Sequence, residues 1–74
     1  MKAIVNNMRH KLLQKNPNYE SNPIFEKLTA ISKNLLYIEM LKKNGEEQES
    51  KIEIRNTLYA FSQIVEDYTK LMKQ

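Results

Sequence analysis

No cysteine occurs in these 74 residues, which removes disulfide staples and thiolate metal sites. A chain this short is near the lower limit for a self-sufficient core, so without staples it must find its stability in apolar packing. Glycine is nearly as scarce. Gly45 is the only one, and a glycine-rich phosphate cradle is excluded with it. One histidine, His10, cannot make a multi-histidine metal site, and no Ser/His/Asp arrangement is readable around it. Tryptophan is absent, and no apolar run approaches the length of a membrane span. The opening Met1-Lys2-Ala3-Ile4-Val5 gives way to Asn6-Asn7 too soon for the apolar centre of a signal peptide. These absences point to a soluble, cytoplasmic protein with no cofactor and no metal.

What the chain does have is periodicity. Ile24, Leu28, Ile31, Leu35 and Ile38 form one apolar stripe, and Ile54, Leu58, Phe61, Val65, Tyr68 and Met72 form another. Both advance by alternating steps of four and three, which sets every member on one narrow face of an α-helix. Asn44-Gly45 lies between them, a C-cap signal where a helix ends and the chain turns back. Lys42 and Lys43 before it suit the negative end of a helix dipole, and Glu46, Glu47 and Glu49 after it suit a positive start. Ser50-Lys51-Ile52-Glu53 also matches a capping box, so Ser50 is an alternative cap for the last helix. The two stripes are expected to meet as the seam of an antiparallel hairpin.

A shorter helical pattern precedes them over residues 3–15, with Val5, Met8 and Leu12 along one side. Asn16 to Pro23 is a break rich in turn formers, and each proline disfavours helical angles in the asparagine before it. Asn22 or Ser21 then caps a helix that opens on Pro23. The expected fold class is all-α: a long antiparallel helical hairpin plus a short N-terminal helix, in a three-helix arrangement that can dimerise into a larger bundle. The helices fall at about 3–15, 23–43 and 47–72, within one small helical domain over 1–74.

Apolar residues exceed what one seam uses. Leu35 to Leu41 is apolar at six of seven positions, and Leu36 and Met40 point away from the main stripe. Ile52 and Tyr59, seven apart, lie on the outer side of the last helix. A helix that is apolar on several faces is normally covered on several faces, either by the N-terminal helix or by a second molecule. Exposed Met and Tyr suit protein contacts. Leu36, Tyr37, Met40, Ile52 and Tyr59 are therefore the candidate partner-binding residues, for a partner protein, a homodimer or both.

The net charge of +3 is unevenly spread. Residues 1–19 hold Lys2, Arg9, Lys11 and Lys15 and no acid, while the remainder holds eight basic against nine acidic residues. Basic groups neutralise phosphates, and the neighbouring Asn6, Asn7 and Gln14 can reach base edges. Those four basic residues are the candidate nucleic-acid-binding set. An architectural precedent exists in plasmid copy-control hairpins that dimerise and bind RNA. A membrane-surface reading of the same helix lacks any Trp or Phe.

Candidate chemistry is sparse. Glu66 and Asp67 are adjacent, so they project about 100° apart on a helix and do not converge. Glu46, Glu47 and Glu49 lack the spaced oxygens of a calcium loop. Ser62-Gln63-Ile64-Val65-Glu66 resembles the Ser-Gln-Glu-Leu-Asp signature of sporulation-control aspartyl-phosphate phosphatases, which are also small helical hairpins. Two of the five residues are identical; Ile64 replaces the signature's glutamate and Glu66 its aspartate. That resemblance would imply phosphatase chemistry around Glu66. The leading expectation is instead a non-enzymatic regulator of inhibitor, chaperone or adaptor type, whose size and Lys/Asn-rich composition fit a phage- or plasmid-encoded accessory protein.

Overall fold

The computed structural model describes residues 1–74 and contains three helices: α1 (Lys2–Lys15), α2 (Pro23–Lys43) and α3 (Glu47–Met72). Each boundary has a local cause. The Asn22 carboxamide oxygen accepts a hydrogen bond from the Ile24 amide at 2.9 Å, capping α2, with Pro23 in its first turn. Between α1 and α2 the chain makes a 3₁₀ turn over Pro17–Ser21, itself capped by Asn16, whose side chain accepts from the Asn18 amide at 3.0 Å.

At the other end of α2 the chain turns on Gly45, which has φ +78. The Glu46 amide donates to the Leu41 carbonyl at 2.9 Å, and the Gly45 amide to the Lys42 carbonyl at 3.1 Å. That pair of bonds is a Schellman motif, and it requires the left-handed backbone that glycine adopts without a Cβ penalty. α3 starts directly afterwards at Glu47, so Ser50 is not its cap but a buried residue in its second turn.

The helices run up, down and up. Lys2 Nζ lies 3.4 Å from Glu39 Oε1, near the end of α2, while Lys15 Nζ donates to the Met72 carbonyl at 2.8 Å, at the end of α3. α1 is thus antiparallel to α2 and parallel to α3. The molecule is a rod of 43 × 18 × 17 Å. α1 has 14 residues against 26 in α3, so it covers about 21 Å of a hairpin leg about 39 Å long. The core lies under that cover: Val5, Met8 and Leu12 meet Phe25, Leu28 and Ile31 from α2 and Ile64 and Leu71 from α3.

The α2 half of the expected seam is present, with Leu28, Ile31 and Ile38 buried and Ile24 and Leu35 half-buried. The α3 half is rotated. Its buried line is Ser50, Thr57, Ile64 and Leu71, a strict seven-residue repeat, while Leu58 and Val65 face solvent. The cause is that α3 has two neighbours. It meets α2 through the Ser50–Leu71 line and packs Phe61, Tyr68 and Met72 against the core that α1 helps to build. Its apolar arc is wider than both contacts together, and Leu58 and Val65 are left over.

Candidate interaction surfaces

The sequence-derived partner-binding residues are all exposed, but on two separate flanks. Leu36 and Met40 stand two residues before and two after buried Ile38, which places each about 200° round α2 from the core. Both are 50 % exposed, with exposed Tyr37 between them. Ile52 stands two residues after buried Ser50, and Tyr59 two after buried Thr57, so both point outward from α3 by the same geometry. Tyr59 is 69 % exposed. α1 folds back onto the groove between the long helices and covers neither group.

The α3 flank is larger than Ile52 and Tyr59 alone. Leu58 (46 % exposed) and Val65 are also exposed, about 100–140° round the helix from that pair, and exposed Ile4 of α1 shares a shallow groove with Met8, Lys11 and Tyr68. Hydropathy hid this surface, because it assigned Leu58 and Val65 to the seam. The signal that identifies the true seam is the repeat Ser50-Thr57-Ile64-Leu71. Two of its members are small and polar, so an apolar periodicity passes over it. Burial pushes the Tyr68 phenol above its ordinary pKa.

On the opposite face of the hairpin from α1, Ala30, Asn34, Ala60 and Gln63 line a further groove of about 510 Å³, with Lys27 and Asp67 also on its wall. At its base the Asn34 amide donates to Thr57 Oγ1 at 3.0 Å, tying α2 to α3.

The basic set of α1 is largely engaged within the molecule. Lys2 pairs with Glu39, and Lys15 is held by the carbonyls of Met72 and Gln74. The Arg9 guanidinium stacks 5.2 Å from the centre of the Phe25 ring, and its Nη1 donates to Asn6 Oδ1 at 3.4 Å. Lys11 and His10 point to solvent.

No group of three His, Cys, Asp or Glu side chains stands close enough to hold a metal ion. Within the phosphatase-like stretch, Ile64 is in the core, Ser62 Oγ donates to the Tyr59 carbonyl at 2.7 Å, and Glu66 pairs with Lys70 at 3.4 Å on the surface. The position that carries glutamate in that signature is thus occupied here by a core isoleucine. No helix is long and apolar enough to cross a membrane.

The chain is by architecture a small all-α protein, a helical hairpin with a short N-terminal helix laid along it. Comparison with known protein families, with curated proteins and with solved structures gives no match.

Proposed function

We propose that this chain is a small non-enzymatic interaction protein, a regulator of inhibitor, chaperone or adaptor type, that acts in the cytoplasm by docking on a partner protein. One observation carries the reading: Leu36, Tyr37 and Met40 form an exposed apolar group on the outer face of α2, with none of this chain's own helices over it. Leaving such side chains in water forgoes about 25 cal/mol for each Å² that a partner would cover. A flexible thioether and a tyrosine are also the residue types that adapt to and anchor protein contacts. Ile52 and Tyr59 offer a second, smaller contact on the α3 flank.

The competing nucleic-acid reading rests on Lys2, Arg9, Lys11 and Lys15. It is weaker because three of the four are spent on contacts within the molecule. Phosphate-driven binding would also fall steeply with salt, whereas apolar docking would not.

The test is capture from the native host by the immobilised chain, comparing wild type with Leu36→Asp and Met40→Asp. Because both side chains are half exposed, the variants are expected to keep their helical circular dichroism and to lose at least tenfold in capture of the partner. Arg9→Glu with Lys11→Glu should leave capture intact. Folded Leu36→Asp and Met40→Asp proteins that bind the same partner as tightly as wild type would overturn the reading.

A further inference from the structure

The turn between α2 and α3 has a chemistry of its own, separate from docking on either flank. Asn44-Gly45 is the one place where an asparagine precedes a residue without a side chain. The Gly45 nitrogen, once it loses its proton, can attack Cγ of the Asn44 carboxamide. A bond forms between Gly45 N and Asn44 Cγ, and the bond from Cγ to Nδ2 breaks. The side-chain nitrogen leaves as ammonia, taking up the proton that the Gly45 nitrogen gave to water. Water then opens the five-membered imide at either carbonyl, which leaves aspartate or isoaspartate at position 44. A side chain on the following residue crowds this attack. A following proline has no amide proton to lose, which removes Asn16 and Asn22 altogether.

Nothing screens the turn from water. Asn44 and Gly45 are both exposed, and a Cβ on Gly45 would meet only open space. What restrains the reaction is the backbone. Ring closure needs Cβ and the attacking nitrogen eclipsed about the Cα–C bond, which for an L-residue is an Asn44 ψ of about −120°. The observed ψ is 1°, so this bond must turn through about 120°. That rotation swings Gly45 off the end of α2. It breaks the bonds from the Gly45 amide to the Lys42 carbonyl and from the Glu46 amide to the Leu41 carbonyl, at 3.1 and 2.9 Å. The Gly45 nitrogen is free to lose its proton only once the first of these is gone. Both requirements, a rotated ψ and a free nitrogen, are met when the Schellman motif is undone.

We propose that Asn44 is a deamidation site whose rate is set by opening of the turn at Gly45. While the motif is closed, the reacting atoms are held apart; each opening exposes them to a one-way reaction. The product also weakens the latch that restrained it. An aspartate at position 44 sets a negative charge at the carbonyl end of α2, where the helix dipole disfavours it. An isoaspartate lengthens the main chain by one carbon and cannot rebuild the same turn.

The test follows the mass of residue 44 in the full chain. Trypsin cuts after Lys43 and after Lys51, releasing residues 44–51 as a peptide in which Asn44 is the only asparagine. Samples aged in native buffer and in guanidinium chloride, at one pH and temperature, are digested and the peptide is weighed and sequenced by fragmentation. The amide-to-acid change is expected at Asn44 ahead of every other asparagine. It should be at least tenfold slower in the native chain than in the unfolded one. That ratio should match the hydrogen-exchange protection of the Glu46 amide, because one opening event governs both.

A variant tests the latch directly. Glu46→Pro removes the amide that bonds the Leu41 carbonyl, fits the Glu46 φ of −87, and leaves Asn44-Gly45 intact. With helicity retained, it should react several-fold faster than wild type in native buffer and at the same rate in guanidinium chloride. An Asn44 that stays unmodified in the unfolded chain would remove the site. Equal rates in the two solvents, a ratio unrelated to Glu46 protection, or a folded Glu46→Pro chain that reacts no faster would each overturn the gating.

Discussion

At the scale of single residues, Ser50 and Thr57 make an instructive pair. Both are polar, both belong to the buried face of α3, and both lie one heptad apart against α2. Thr57 Oγ1 accepts the Asn34 amide, but Ser50 Oγ is buried with no hydrogen-bond partner. A buried hydroxyl without a partner costs about 1–3 kcal/mol, while a satisfied one contributes about 1 kcal/mol. Ser50→Ala should therefore raise the unfolding free energy read from urea titration by on the order of 1 kcal/mol, and Thr57→Val should lower it by about the same.

Tyr68 adds a pH dependence. Burial raises its phenol above the ordinary value of 10.0, so the folded state favours the neutral form. Its contribution is complete below that ordinary value and is lost as pH climbs through the raised one. Urea midpoints measured from pH 8 to 12 should show this alkaline loss in wild type and a shallower one in Tyr68→Phe.

At the scale of elements, the sequence was most legible where it is punctuated. Asn22-Pro23 and Asn44-Gly45 act through local sterics and local hydrogen bonds, which a sequence carries in full. α2 was equally plain, because Leu28, Ile31 and Ile38 are both its most apolar line and its buried one. α3 was not. Its most apolar line and its buried line are neighbours about a fifth of a turn apart. Which one faces α2 depends on where α1 lies, and that is a tertiary fact. The candidate site divided the same way. The exposure of Leu36 and Met40 follows from their position on α2, but the flank with Leu58 and Val65 exists only because α3 is rotated.

α1 also differs from the hairpin in how it is held. It packs chiefly on α2, through Lys2–Glu39, Arg9 over Phe25 and the Val5, Met8 and Leu12 core contacts, and touches α3 along one edge. It should open without the hairpin separating, as a unit of lower local stability. Hydrogen exchange is expected to show amides of α1 exchanging at least tenfold faster than the central amides of α2 and α3. Equal protection across all three helices would mean that the bundle opens only as a whole.

At the scale of the whole molecule, α2 is the spine. Each helix packs mainly on the helix next to it in sequence, and each of the two long helices keeps an open apolar flank. One flank belongs to α2 and the other to α3. The order of the helices along the chain then has a consequence during synthesis. Synthesis proceeds from the N-terminal end, so Val5, Leu12, Phe25 and Leu28 of α1 and α2 are all made before α3 is complete. The apolar repeat of α3 is made after both of them. A nascent chain therefore shows its stickiest helix to neighbouring chains on the same message only when the partner helix inside its own molecule is already waiting.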